Sequence, residues 1–413
     1  VGKLQAAEPL RIAELLPAAI DGRQSEARVH AAFADEIRQA CLRLHAAHGE
    51  VDPITGKRVS FGIVRMANIE PIFAVARALI EGAMPADTRL HLCVYHARFP
   101  LAQRSAIEAM LDATFNRRDP ETAWRLPEIR HALDTQPERD QLFVVLASPV
   151  CEVGRDWDAD WTLAEPSSMR ALIQLAGRVQ RHRRKPPLAP NVLVFDTNLK
   201  GITQGSAREA VFTRPGFEKA SDDEAFLLRS HRLNQLLAET EYRHLTAIPR
   251  IQPRPDDALQ PRERWVDLEQ ARIRASMLTP PVTPRTSSTR RSAAPPSLTP
   301  ERDFAPPCWQ HPQAALIGVL PQQQPFRDDN LSTSTLVWRP NEDEDKLLPQ
   351  RVEDVPGHKR GEKLCVPADE LLDKIALDPT PNVSRWGDFD LLGLVAEQAE
   401  ARELTLDAAA CKF

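Results

Sequence analysis

Residues 142–184 read LFVVLASPVCEVGRDWDADWTLAEPSSMRALIQLAGRVQRHRR. The apolar, β-branched run Leu142 to Leu146 reads as a buried strand, and the polar loop after it carries Glu152, Gly154 and Asp156. A second short apolar run, Trp161 to Ala164, leads into a stretch expected to be helical over 168–184. Strand, loop, strand and helix in this order are the grammar of an α/β fold. The helix closes on the pattern Q-x-x-G-R-x-x-R, with Gln174, Gly177, Arg178 and Arg181 at its fixed positions. On a helix this spacing puts the two arginines on one face about a turn apart, with Gln174 a turn before them.

Working outward, VSFGIVRM (59–66), LHLCVYHA (90–97) and NVLVFD (191–196) read as further strands. Asn68 and Pro71 open a helix that buries Ile72, Val75, Ala76, Leu79 and Ile80 and stops at Gly82, and another runs from Leu101 to about Asn116. Near-continuous apolar strands alternating with helices predict a parallel sheet covered on both faces. Right-handed crossovers then place the loops after the strands along one edge, with His96, Arg98, Glu152, Gly154 and Asp156. The expected domains are a helical connection (1–58), the α/β lobe (59–200), a helical extension (201–278), a flexible Pro/Ser-rich linker (279–307) and a small separate C-terminal domain (308–413).

The net charge of −5 over 413 residues excludes a bulk polycation, so any nucleic-acid contact has to come from a local basic surface. No apolar run has the roughly 18 residues of a membrane span and no signal peptide is visible, so no membrane partner is expected. Six cysteines stand far apart, which argues against a disulfide scaffold or zinc site and for a reducing cytoplasm. The Gly-Lys pairs at 2–3 and 56–57 are not followed by Ser or Thr, so no phosphate-cradling loop is present. No His-Asp dipeptide occurs, and nothing points to ligands for a two-metal nuclease site. By itself the chain is not expected to hydrolyse ATP at a useful rate.

Arg178 and Arg181 are the candidate catalytic residues. Their guanidiniums are permanently charged, planar and bidentate, and can address adjacent oxygens of one polyphosphate from a second lobe. Gly177 clears space for a phosphate or a partner lobe, and Gln174 completes the nucleotide-facing set with Gly154 and Asp156. Asp156 could hold a ribose or an arginine of the same helix; Gly154 allows a positive φ. The plain alternative is a solvated basic helix end favoured by the helix dipole. Arg65, Asn68, His96, Arg98, Arg104 and Glu152 are the candidate DNA-facing residues, with Phe99 packing under the loop or stacking on a base. Of the run Arg181-His182-Arg183-Arg184-Lys185, only Arg181 is assigned to nucleotide; the others are expected to form a solvated or DNA-facing edge.

SFGIVRMANIEP (60–71), VYHARFPLAQRSAIE (94–108), VVLASPVCEVGRDWDADW (144–161) and MRALIQLAGRVQRHR (169–183) closely resemble the second RecA-like lobe of superfamily 2 helicases. More narrowly they resemble the helicase–nuclease of type I CRISPR systems, most like subtype I-F. The resemblance implies a RecA-like sheet and an ATP-driven 3′→5′ motor on single-stranded DNA. ATP with Mg would be held mainly by an upstream lobe, and a Cascade-type CRISPR surveillance complex would recruit the protein. It further implies that Glu152 to Asp156 match the coupling motif and that Gln174, Gly177, Arg178 and Arg181 match the arginine-finger motif. The chain departs from the family by lacking the ATP cradle and nuclease, as the C-terminal part of such a protein would. The alternatives are a non-catalytic RecA-like regulator that binds DNA or protein, and a superfamily 2 lobe from outside CRISPR.

Overall fold

Leu142, Val144 and Leu146 belong to one core, while Phe143, Val145 and Ala147 belong to another. This alternation requires apolar cover on both sides of the strand. The computed structural model describes residues 9–204, 209–213, 216–219, 224–277, 335–354, 363–367 and 380–410; the expected linker, 279–307, lies outside them.

The elements in order are β1 (Ala13–Leu16), α1 (Glu26–His48), β2 (Glu50–Val51), β3 (Arg58–Arg65), α2 (Ile72–Glu81), β4 (Thr88–Tyr95), α3 (Leu101–Thr114), α4 (Thr122–Arg125), α5 (Pro127–Thr135), β5 (Asp140–Ala147), β6 (Trp161–Ala164), α6 (Met169–Ala176), β7 (Val192–Phe195) and α7 (Leu199–Gln204). There follow α8 (Leu233–Leu236), α9 (Glu239–Tyr242), α10 (Ile248–Ile251), α11 (Trp265–Met277), β8 (Thr335–Pro340), β9 (Leu347–Asp354), β10 (Lys363–Pro367) and β11 (Val383–Arg385). The main sheet runs β1-β7-β6-β3-β5-β4-β11 with every neighbour parallel, and β2 pairs antiparallel on β3. This is the expected α/β fold, a parallel sheet covered by helices. Helices α1 and α2 cover one face through Phe33, Ile37, Val75 and Leu79. Trp157, Leu172, Leu175 and Trp265 cover the other.

Three expectations change. Residues 10–16 were expected to be helical, but Ala13–Leu16 is a strand in register with Val192–Phe195. Ladder bonds at the sheet edge outweigh a weak local helical pattern. The described part of 1–58 therefore completes the lobe instead of merely leading into it. Within the extension expected to be helical, residues 226–239 are helical only at α8 and the start of α9; Leu228, Leu233, Leu236 and Leu237 are buried against the sheet core. Finally, the C-terminal region is only partly separate. β8, β9 and β10 form a small antiparallel sheet, and helices at Leu391–Ala401 and Leu406–Ala410 make a minor core. Yet β11 pairs with β4, Trp386 stands edge-on to Phe143 at 5.3 Å, and Arg89 Nη1 donates to Ser384 Oγ at 2.8 Å.

His91 on β4 is stacked 4.2 Å from Phe143 and shares a 2.7 Å hydrogen bond with Gln141. Burial, ahead of every other influence, drops its pKa to about 4. The unfolded chain takes up this proton near pH 6.5, so the group costs no stability above that pH. Its penalty grows by about 1.4 kcal/mol per pH unit as pH falls towards 4. His91→Gln is expected to flatten the fall in urea midpoint over that window; an unchanged slope would show that His91 does not contribute to it.

Candidate functional site

The Q-x-x-G-R-x-x-R stretch is helical only in its first half. Ser168 caps α6 through a 3.1 Å bond from Ala171 N–H, and the helix ends at Ala176. Arg178 and Arg181, expected on one helical face, stand instead on the turn that follows. Val179 forms a one-residue parallel bridge with Ala159, and Gln180 and Arg184 take positive φ of 50° and 52°, which no α-helix accommodates. The carboxylate of Asp158 holds the turn. It accepts the backbone N–H groups of Arg181, His182 and Arg183 at 3.1, 3.2 and 3.1 Å, and Arg183 Nε at 3.0 Å. No motif marks Asp158; the run WDADW carries the signal, three acids spaced two apart with Asp156.

The two arginines differ. Arg181 is 44% exposed, and its Nε lies 2.5 Å from Asp156 Oδ1. Arg178 is buried and its Nη2 donates to Glu152 O at 2.7 Å. Burial, then the neighbouring Arg181, lowers the pKa of Arg178. Asp156 thus holds an arginine of the motif, one of the two roles left open for it. It is also paired with Arg118 and lies 3.2 Å from His182 Nε2. His182 Nδ1 accepts Arg117 N–H at 3.2 Å, which leaves the proton on Nε2, facing Asp156. The His182 contact is the largest influence on Asp156 and, together with Arg181, holds its carboxyl below the usual range against desolvation.

Leu10, Arg11, Arg118, Asp156, Gly177, Arg181, His182 and Arg184 line one cleft of about 610 Å³. Arg11 and Arg118 belong to no motif and could not be found from sequence. Gly177 has an ordinary φ of −61°, and a Cβ there would come no closer than 3.2 Å, to Gln174 O. That is closer than ordinary van der Waals contact, so a side chain at this place in the cleft would require the backbone at the end of α6 to give by a few tenths of an ångström. Gly154 does need its freedom, with φ of +67° in the exposed loop. Gln174 is exposed on α6.

The candidate DNA-facing residues separate. Arg65 is wholly buried, not DNA-facing: its Nε donates to Glu152 Oε1 at 2.5 Å, and its other nitrogens donate to Glu165 O and Ser167 Oγ. It ends β3 in the middle of the sheet, so its charge is satisfied internally. Glu152, equally buried, is its partner instead of a DNA contact. Asn68, His96 and Arg98 remain at the edge where β3 and β4 end. Arg98 reaches Glu70 at 2.6 Å, both exposed, and so joins the two loops. His96 stacks on Phe99 with centroids 4.4 Å apart; burial, then Arg98, lowers its pKa to about 4, so it is neutral. Arg104 lies half-buried on α3, 3.5 Å from Glu108. Arg183 is expected at a solvated edge, but its side chain is buried between Asp158 and Asp160, with Arg117 3.5 Å from Asp160. Among the described residues no group of three or more His, Cys, Asp or Glu could hold a metal ion, and no helix is long and apolar enough to cross a membrane.

Residues 58–184 match the family described as CRISPR-associated nuclease/helicase Cas3, C-terminal, and residues 338–413 match the Cas3 subtype I-F/YPEST-like C-terminal domain. The chain is similar to the CRISPR-associated nuclease/helicase Cas3 subtype I-F/YPEST of Pseudomonas aeruginosa (strain UCBPP-PA14), 35% identical over the whole of this chain and 35% of that protein. It is 44% identical to the protein of the same description from Pectobacterium atrosepticum, over 59% of this chain and 22% of that one. The chain thus spans about a third or less of the length of these curated relatives. A crystal structure of T. fusca Cas3-ATP is similar at 20% identity and a TM-score of 0.32, covering 51% of this chain and 21% of that one. A pre-nicking CRISPR RNA-guided surveillance complex contains a chain similar at 19% identity and a TM-score of 0.27, covering 51% and 22%.

Proposed function

We propose, for a chain whose sequence belongs with the C-terminal region of Cas3 nuclease/helicases of subtype I-F/YPEST, that it is the arginine-finger lobe of an ATP-dependent 3′→5′ single-stranded DNA helicase and nuclease acting in CRISPR interference. The observation that carries this reading is the cleft. Arg11, Arg118, Arg181 and Arg184 line it with a single carboxylate, Asp156. Four permanent cations around one anion suit a polyphosphate, so the residues present fit a nucleoside triphosphate. ATP, when bound, supplies the phosphoryl group whose transfer to water drives the motor.

This chain's residues divide the work. The Arg181 guanidinium, exposed and paired with the partly exposed Asp156, can exchange that carboxylate for a phosphate oxygen. Arg178 is fixed by Glu152 O, so the loop after β5 and the arginine turn move as one body. Gly177 leaves the cleft wall low where the second lobe closes. Asn68, His96 and Arg98 lie on the sheet edge that would follow the DNA strand, with Arg104 behind them. An upstream half would supply the phosphate cradle, Mg and the nuclease, and a Cascade-type surveillance complex would be the recruiting partner.

The test is reconstitution. Alone, the chain is expected to show no DNA-stimulated ATP hydrolysis. Joined to a lobe that carries the phosphate cradle, in cis or in trans, it is expected to restore that activity by two orders of magnitude or more, roughly. Salt-sensitive binding of single-stranded DNA by the chain, with no rise in ATPase on joining, would favour a non-catalytic regulatory module instead.

A further inference from the structure

We propose that Glu269 and Arg11 are positioning residues that brace α6 from its two ends and so set where the arginine turn stands; this rests on the arginine-finger reading above. At the N-terminal end, Glu269 Oε1 accepts the backbone N–H groups of Met169 and, at 3.4 Å, Arg170, while Oε2 accepts Arg250 Nε at 3.0 Å. The carboxylate is 1% exposed and comes from α11, in the extension that follows the sheet. At the other end Arg11 Nε donates to Ala176 O and Val179 O, both at 3.0 Å, from the segment that leads into β1.

An anion thus meets the N-terminus of α6 and a cation its C-terminus, each where the helix dipole favours it. Neither belongs to the Q-x-x-G-R-x-x-R stretch. Glu269 is not needed to start the helix, because Ser168 already caps it through Ala171 N–H. Burying a carboxylate is costly, and burial raises the Glu269 pKa; the Arg250 charge and the two backbone amides act against that rise. The arrangement fixes α6 along its own axis. With only 8 residues in the helix and the turn hanging directly from it, a displaced α6 carries Arg178 and Arg181 with it. Misplacement of a catalytic group by about 1 Å can cost a hundredfold in rate. The extension around α11 is then part of the motor, acting through the helix it holds.

Glu269 is the decisive position, because Arg11 also lines the cleft. In an ATPase assembled from this chain and a nucleotide-cradling lobe, Glu269→Ala is expected to lower kcat for DNA-stimulated hydrolysis by roughly ten- to a hundredfold, with KM for ATP changed by less than about threefold. Glu269→Gln keeps an acceptor for the two amides and is expected to recover most of the loss. Hydrogen exchange on the same proteins should accelerate at Met169 and Arg170 in Glu269→Ala and stay unchanged in β5. A folded Glu269→Ala protein with unaltered kcat, beside an inactive Arg181→Ala, overturns the brace and leaves the arginine finger standing. Accelerated exchange across the whole sheet, or an equal loss in Glu269→Gln, shows a merely structural role and also overturns it. Full activity in Arg181→Ala overturns the arginine-finger reading, and the brace's role in catalysis with it.

Discussion

Arg181→Ala is expected to lower DNA-stimulated ATPase of the assembled motor by about 10³-fold or more, the size of effect an arginine finger has in phosphoryl transfer. It should do so with almost no change in folding stability. The Arg181 side chain is 44% exposed, and its ion-pair partner Asp156 keeps Arg118 and His182 when it is gone. Losing one exposed pair is worth about 1 kcal/mol at most. Arg178→Ala should also reduce the rate, but not so cleanly. Its guanidinium is buried and holds Glu152 O, so removing it leaves a carbonyl without that donor and a void beside the Arg65–Glu152 pair. Measured together, ATPase and urea midpoint separate the two residues. An Arg181→Ala enzyme with unimpaired ATPase would end the arginine-finger assignment.

Much of the lobe was legible in the sequence because its strands are buried on both faces. A run such as LFVVLA has no polar face to confuse it, and LHLCVY and NVLVF read in the same way. What stayed hidden was set by distant partners. Ala13–Leu16 is a strand only because Val192–Phe195 offers it an edge, and β11 joins β4 across hundreds of residues of chain. The arginine turn departs from the expected helix for a related reason. Local periodicity carried the helix through 184, whereas the Ala159–Val179 bridge and the Asp158 carboxylate stop it at Ala176. A motif's fixed spacing made part of the cleft's lining legible: Asp156, Gly177 and Arg181 line it, whereas Arg178 is buried against Glu152 O. Site chemistry was not legible for Arg65, whose charge at a strand end gave no sign of the buried Glu152 waiting for it. Nor was it legible for Arg11 and Arg118, which reach the cleft from outside every motif, or for Glu269, which meets the start of α6.

The second large effect is expected at Asp158. Its carboxylate is fully buried and is shared by three consecutive backbone N–H groups and the Arg183 guanidinium. Asp158→Ala leaves those donors without their acceptor and leaves Arg183 to Asp160 and a distant Glu50, with Arg117 already crowding the same site. Breaking a buried pair from one side typically costs about 3–5 kcal/mol, most of it the uncompensated charge left behind. A loss of that size should appear in the urea midpoint of this chain alone, and ATPase of the assembled motor should fall with it because the turn carrying Arg181 loses its anchor. Arg183→Met in the Asp158→Ala background removes the stranded charge. The double variant is therefore expected to be more stable than the sum of the two single losses by at least about 1 kcal/mol. Asp158→Asn keeps one acceptor oxygen but sets an amide N–H₂ against donors, so it should fall between wild type and Ala. An Asp158→Ala protein within about 1 kcal/mol of wild type would mean that the turn is held by the Ala159–Val179 bridge and α6, and not by this carboxylate.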